Sequence, residues 1–218
     1  MTTISKFKKF GLMLFALGAI TLTSCEKEDE ETETPAEEHD HEVITDVHLV
    51  FTNANDSTEV LEFSAQDPDG EGIEELSVLD TIQLDTNKTY ILTFEIMNNL
   101  EDDHADHKMF SGEGEDIGAE IAEEADEHQI FFAFTNDAFS NPMGDGNIDN
   151  ASDAINYNDE DANGNPLGLN TTWTTGATAI SNGNFTVRLQ HQPDLKTATS
   201  GANDGETDFE IDFVLNIE

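Results

Sequence analysis

The stretch TYILTFEIM, residues 89–97, decides the fold class of this chain. One set of alternate residues in it is wholly apolar: Tyr90, Leu92, Phe94 and Ile96. The residues between them are mixed and include Thr93 and Glu95. Because successive side chains of a strand point to opposite faces, this period of two is typical of a half-buried antiparallel strand.

The same alternation recurs along the chain, in residues 43–51, 61–63, 185–189 and 209–217. Runs rich in Asp, Asn, Pro and Gly separate these segments, at residues 67–70, 85–87, 163–166 and 182–183. Such runs favour turns. The pattern predicts an all-β, Ig-like antiparallel β-sandwich of roughly seven or more strands.

One segment departs from the alternation. Residues 115–129 place Ile117, Ile121 and Ala125 four apart among good helix-forming residues. This spacing predicts one short helix in a loop, leading into a strand over residues 130–135.

The N-terminus has the pattern of a secretory signal peptide, predicted over residues 1–24. Three lysines lie within residues 6–9, and an apolar core follows at residues 10–20. That core is too short to span a bilayer as a stable helix. Residues 22–25 (LTSC) resemble the bacterial lipobox, which implies that the thiol of Cys25 carries a lipid anchor. Cys25 is the single cysteine of the chain, so no disulfide forms within it.

Residues 25–42 are acidic and lack periodicity, and we expect them to be a lipidated, disordered tether ahead of one β-sandwich domain at residues 43–218. Residues 26–30 (EKEDE) resemble the signal that follows the lipidated cysteine in surface-exposed lipoproteins of Bacteroidetes. The resemblance implies the outer membrane and its outer face. A solvated tether that charge repulsion keeps extended explains the same residues.

The net charge of the chain indicates which kinds of partner it repels and which it attracts. The chain has 48 acidic residues against 8 lysines and arginines, for a formal net charge of −40. Such a surface repels nucleic acid and anionic lipid, so no nucleic-acid partner is expected, and it attracts cations. Acidic surfaces also serve solubility alone in salt-adapted organisms, which is the competing explanation.

Five segments carry a resemblance to a known family: residues 67–72, 123–132, 163–169, 188–194 and 205–217. Together they resemble a recurrent family of Bacteroidetes lipoproteins that automated naming describes as "type 1 periplasmic binding fold superfamily". The resemblance implies a lipoprotein and its location, and it supplies no activity. A periplasmic-binding fold requires alternating strands and crossover helices, whereas these residues predict one short helix among strands.

Histidines beside carboxylates suggest a zinc site, because zinc accepts both nitrogen and carboxylate ligands. Residues 101–107 (EDDHADH) hold an H-x-x-H pair, and two further histidines border predicted strands. If those two strands are neighbours, their imidazoles face one another at the rim of the core. The candidate ligands are His104, His107, His128, His191, Asp103 and Asp106. The alternatives are a solvated acidic loop and hydrogen-bonded histidines that cap the core.

Two loops suggest calcium, because alternating side-chain oxygens followed by glycine are typical of calcium-binding loops. The first matches at Asp159, Asp161 and Asn163, but Asn170 stands at its twelfth position, where the motif carries a glutamate. The second loop offers Asp145, Asn147 and Asp149. Ordinary Asx turns explain both loops equally well.

The sequence carries none of the common enzyme signatures, such as G-x-S-x-G, a P-loop or H-E-x-x-H. Two hypotheses follow. In the first, the chain is a surface lipoprotein that binds divalent metal, with a TonB-dependent transporter or another surface protein as its partner. In the second, it is a calcium-stabilised β-sandwich interaction or adhesin-like domain with no transition-metal role.

Overall fold

A computed structural model describes residues 43–67, 76–100 and 114–218, all within one compact unit, Asp40–Glu218. The predicted signal peptide, Cys25, the tether and the segment with Asp103, His104, Asp106 and His107 lie outside the described residues.

The described chain forms two sheets. The seven-stranded sheet has the order β3-β2-β1-β5-β9-β8, and β6 also pairs with β5. Its strands are β1 (Asp46–Asn53), β2 (Asp56–Gln66), β3 (Ser77–Val78), β5 (Thr89–Asn98), β6 (Glu115–Asp116), β8 (Phe139–Asn141) and β9 (Asn170–Thr175). The four-stranded sheet has the order β4-β11-β10-β7. Its strands are β4 (Ile82–Leu84), β7 (His128–Phe134), β10 (Ile180–His191) and β11 (Glu206–Ile217). The pairing of β4 with β11 is parallel, and the other pairings are antiparallel.

The two sheets pack face to face around one apolar core, so the predicted all-β sandwich is confirmed. The apolar set of residues 89–97 lies inside it as expected, with Tyr90, Leu92 and Ile96 fully buried. Phe51 of the larger sheet meets Phe185 of the smaller one, with ring centroids 6.0 Å apart. The alternation in residues 89–97 therefore predicts correctly which side chains are buried.

The helix is shorter than predicted. α1 covers Ile117–Glu123, and the β7 strand begins at His128 rather than at residue 130. Its start is capped by Asp116, whose Oδ1 accepts the Ala119 N–H at 3.0 Å. The Glu127 N–H donates to the Glu124 carbonyl at 2.9 Å in the turn that leads into β7, and the helix ends before this turn. The last helical turn also carries no basic residue to offset the helix dipole.

The alternation of apolar residues does not predict strand β9, because two of its inward residues are threonines. Thr171, Trp173 and Thr175 are all buried. The Thr171 hydroxyl accepts the indole N–H of Trp173 at 2.7 Å, and the Thr175 hydroxyl donates to the Asp85 carbonyl at 2.6 Å. Hydrogen bonding removes the cost of burying these hydroxyls.

The two ends of the sandwich bury different residues. At one end, where β1 and β7 finish and β5 and β10 begin, aromatic rings cluster, and we call it the aromatic end. Its rings are those of Phe51, Tyr90, Phe134, Phe139, Trp173 and Phe185. At the opposite end β10 finishes at His191 and β7 begins at His128, and we call it the histidine end.

Candidate functional site

His128 and His191 lie side by side at the histidine end. The β7 and β10 strands are neighbours, and their register places His128 directly opposite His191. The two imidazole rings stack, with centroids 4.6 Å apart and planes within 7° of parallel. Both residues are buried, at 2% and 8% exposure. The sheet therefore brings together two histidines that are 63 positions apart in the sequence.

Backbone segments pack closely against both histidines of the pair. Glu206, the first residue of β11, pairs with His191, and Gly205 precedes it with φ +89°. A Cβ at Gly205 would lie 2.0 Å from the His191 carbonyl oxygen, so only glycine allows this close approach. On the other side, the turn after α1 places the Glu124 carbonyl 3.2 Å from His128 Nδ1.

Each imidazole faces a carboxylate. A carbonyl oxygen only accepts, so the contact with Glu124 assigns the ring proton of His128 to Nδ1 and leaves a lone pair on Nε2. That Nε2 lies 3.9 Å from Asp208 Oδ2. His191 Nε2 lies 3.5 Å from Glu127 Oε2. The site thus offers two nitrogen donors and two carboxylates.

Burial lowers the pKa of His128 to about 4, and the nearby charges of His191 and Lys196 act in the same direction. The hydrogen bond to Glu124 and the charge of Asp126 oppose the shift but are weaker. His128 is therefore neutral at pH 7, which is the form that coordinates metal.

A buried lysine sits next to the pair. Lys196 Nζ donates to the carbonyls of His128 at 2.7 Å and Ala125 at 2.5 Å, and it lies 3.7 Å from Asp161 Oδ2. Burial lowers the pKa of Lys196, and Asp161 acts in the opposite direction. This lysine connects the turn before β7 to the loop that carries Asp161.

The donor atoms do not yet converge. Two ligands about 2.0–2.2 Å from a tetrahedral zinc ion are roughly 3.3–3.5 Å apart. The two nitrogen–oxygen distances, 3.5 and 3.9 Å, are close to that value, but the rings are parallel, so their in-plane lone pairs do not meet at one point. In the ranges 43–67, 76–100 and 114–218, no group of three or more His, Cys, Asp or Glu residues is arranged to hold a metal ion.

The first predicted calcium loop uses its carboxylates within the fold. Asp159 accepts the backbone N–H groups of Gly168 and Asn170 at 2.8 and 2.9 Å. Asp161 accepts those of Asn163 and Asn165 at 2.8 and 2.9 Å. Although burial raises the pKa of Asp161, these hydrogen bonds and Lys196 outweigh it and lower the pKa overall. The contacts are those of Asx-type turns, and calcium binding by this loop stays a prediction.

The second predicted calcium loop is divided between the interior and the surface. Asn147 is buried; its Oδ1 accepts the Phe132 N–H at 2.9 Å and its Nδ2 donates to Tyr157 Oη at 2.9 Å. Asp145 and Asp149 are exposed. The Asp145 carbonyl accepts the Phe134 N–H at 2.8 Å, so this loop covers the free edge of β7. Calcium binding here also stays a prediction.

A shallow cleft of about 500 Å³ lies beside these loops. Asn156, Tyr157, Asp159, Gly164 and Pro166 are among its lining residues. Burial raises the pKa of Tyr157 to about 12, and its Oη donates to the Ile130 carbonyl at 2.7 Å. The hydroxyl is therefore a structural donor and is not poised for proton transfer near neutral pH.

Sequence reasoning missed three residues of this region: Glu127, Asp208 and Lys196. In a chain with 48 acids, no local pattern marks the two carboxylates that face imidazoles. Lys196 had a usable signal, since it is one of only eight basic residues and lies near the border of a strong strand.

Among the described residues, no helix is long and apolar enough to cross a membrane. Comparison with known proteins identifies no matching protein family, no matching curated protein and no matching solved structure.

Proposed function

We propose that this chain is a lipid-anchored binding module of the bacterial cell surface that captures a divalent metal ion, with zinc as the best match, at the histidine end. The observation that carries the proposal is the buried His128–His191 pair with a carboxylate beside each ring. Imidazole nitrogens and carboxylates together form a ligand set that suits zinc.

Closure of the site requires a small rearrangement. Rotation of one imidazole about its side-chain torsions would break the parallel stacking, and Nε2 of His128 and His191 would then be the nitrogen ligands. The flanking carboxylates of Glu127 and Asp208 would serve as further ligands or as acceptors that orient the rings. The strongly negative surface raises the local concentration of cations around the domain.

The predicted H-x-x-H segment lies outside the described residues, but the residues that flank it lead to the histidine end. Strand β5 finishes at Asn98, and β6 resumes beside it, with Glu115 opposite Asn98. Helix α1 then leads directly to His128. His104 and His107 lie in the chain between these points, which favours them as completing ligands in the proposed site.

Titration calorimetry with zinc chloride on residues 43–218, which omit His39 and His41, tests the proposal. We expect binding by the parent protein and at least a tenfold loss in the variant His128→Gln/His191→Gln, because each imidazole contributes a coordinate bond. The matched control is His48→Gln, since His48 is also buried beside a carboxylate, 2.7 Å from Glu62, but stands on the larger sheet. Unchanged affinity in the double variant contradicts the proposal.

Comparison with His104→Ala/His107→Ala decides whether that segment participates. Loss of affinity in this variant and in the His128/His191 variant supports one shared site. Loss only in the His104/His107 variant moves the metal away from the stacked pair.

The lipid anchor is tested separately, at Cys25. Because the acyl chains supply the membrane affinity of the proposed lipoprotein, Cys25→Ser should leave an uncut precursor or release soluble protein. Membrane fractionation with a carbonate wash measures this. A Ser variant that stays as tightly bound as the parent contradicts the anchor.

A second candidate function, a surface interaction module, is favoured by the outward face of the larger sheet. One row of paired residues there carries no charge: Val60, Thr52, Ile91 and Thr172. The next row, Val50, Thr93 and Asn170, carries a single charge, that of Glu62 opposite Val50. A sheet face with few charges on a highly charged protein suits contact with another protein, which we propose to be a TonB-dependent transporter or another surface protein.

A photoreactive amino acid at Thr93 tests this surface in cells. Val214, which is 44% exposed on the outward face of the smaller sheet, provides the matched control position. A cross-linked product from position 93 and none from position 214 supports the interaction module, and equal products from both positions contradict it.

A further inference from the structure

Lys196 and Asp161 form a buried pair that the metal proposal does not use. Their side chains are 0% and 1% exposed, and Nζ lies 3.7 Å from Oδ2. Lysine is rarely buried so completely unless it is paired. The two residues come from different loops, one before β9 and one after β10.

The two oxygens of Asp161 have different surroundings. Oδ1 accepts two backbone N–H groups, from Asn163 at 2.8 Å and from Asn165 at 2.9 Å. Oδ2 faces Lys196 and accepts the side-chain amide of Asn165 at 2.9 Å. Two backbone N–H groups aimed at one carboxyl oxygen are the arrangement that stabilises the oxyanion of an acyl-transfer intermediate.

The amine is also held in place. Lys196 Nζ donates to the carbonyls of Ala125 at 2.5 Å and His128 at 2.7 Å. These contacts restrict the amine to a position beside the carboxyl group of Asp161. Such fixed proximity replaces the entropy that an intermolecular condensation would lose.

We propose that Lys196 and Asp161 condense to form an intramolecular amide cross-link. A proton passes from Nζ to Oδ2, and the resulting amine attacks Cγ. The negative charge of the tetrahedral intermediate develops on Oδ1, between the N–H groups of Asn163 and Asn165. A second proton from Nζ reaches Oδ2, the bond between Cγ and Oδ2 breaks, and one water molecule leaves.

The reaction balances without another reagent. An ammonium and a carboxylate become one neutral amide and one water molecule. Nζ keeps a single hydrogen, and Oδ1 becomes the amide carbonyl oxygen and retains both backbone hydrogen bonds. Because the chain has one cysteine, this amide gives it a covalent cross-link that a disulfide within the chain does not supply.

Peptide mapping of the full chain tests the cross-link. Trypsin cuts after Lys108, Arg188 and Lys196, so an unlinked chain yields residues 109–188, 189–196 and 197–218. An acylated Lys196 resists cleavage. We therefore expect one species in which residues 109–188 are joined to residues 189–218, lighter by one water than the sum of the two peptides, with the join on Lys196.

The variant Lys196→Arg is the matched control, because it keeps the charge and the cleavage site but lacks the reactive amine. It should yield all three separate peptides, as should Asp161→Ala. The parent protein decides the question even if a variant folds poorly. Separate peptides 189–196 and 197–218 as its main products overturn the proposal, and so does a join at Asn165 with loss of ammonia instead of water.

Discussion

The aromatic end and the histidine end of the sandwich are both buried, but different forces hold them. At the aromatic end, Trp173 packs against Phe139 and Phe185, with ring centroids 4.8 and 5.1 Å away. At the histidine end, buried Asp46 accepts hydrogen bonds from Thr45, Gln66 and Asn99 at 2.6–2.7 Å.

This difference indicates how each end of the domain should respond to substitutions and to pH. Apolar packing is insensitive to pH and salt but depends on shape and volume. A buried hydrogen-bonded network depends on the protonation state of each member and on the presence of every partner. We therefore expect substitutions at the aromatic end to affect stability alone, and changes at the histidine end to respond to pH as well.

The largest effect is expected for Trp173→Ala. It removes the largest fully buried side chain of the aromatic end and leaves a cavity, so we expect a loss of about 3–5 kcal/mol in the free energy of unfolding. Urea denaturation measures this loss. Trp173→Phe should lose clearly less stability because it keeps a ring in place. Equal losses in the two variants would contradict the view that packing volume stabilises this end.

The second prediction concerns pH and the histidine end. The pKa of His128 is lowered to about 4 from 6.5, so the unfolded chain takes up its proton first as the pH falls. Its contribution to stability is complete above pH 6.5 and is lost between pH 6.5 and pH 4, by about 3 kcal/mol at most.

Urea midpoints at several pH values check this sign. The parent protein should lose more stability than His128→Gln on going from pH 7 to pH 5, and Trp173→Phe should keep the parent's pH dependence. Parallel curves for the parent and His128→Gln would remove this distinction between the two ends.

A pair of tyrosines compares the aromatic end with the loops beside β7 by the loss of one hydroxyl. Tyr157 Oη donates to the Ile130 carbonyl and accepts from Asn147 Nδ2, so Tyr157→Phe should cost about 2 kcal/mol. Tyr90 Oη at the aromatic end accepts one backbone N–H, that of Asp85 at 3.2 Å, and Tyr90→Phe should cost less. Thermal unfolding of both variants measures the order, and a reversed order contradicts it.

The smallest effect is expected for the cap of α1. Asp116→Ala should lower stability by about 1 kcal/mol, since it removes the acceptor for the Ala119 N–H. Glu123→Ala at the other end of the helix is the control and should be neutral or slightly stabilising, because a carboxylate there opposes the helix dipole. Chemical denaturation of the two variants distinguishes them.

The sequence by itself determined the class of the fold and most of the core. Alternation is a local property, since the face of each strand residue depends only on its neighbours two positions away. The inward residues of β5, β10 and β11 could therefore be identified before any contact was known. The start of α1 was equally local, whereas its end depended on where the chain turns toward β7.

Only the tertiary structure decided which distant residues meet. The register of β7 against β10 stacks His128 on His191, and the packing of two loops places Lys196 against Asp161. The backbone N–H groups that Asp161 accepts belong to its own Asx-type turn, which is the alternative that the sequence offered beside calcium. Contacts between residues far apart in the sequence depend on burial and hydrogen bonding in the folded chain, so the local spacing of residues does not predict them.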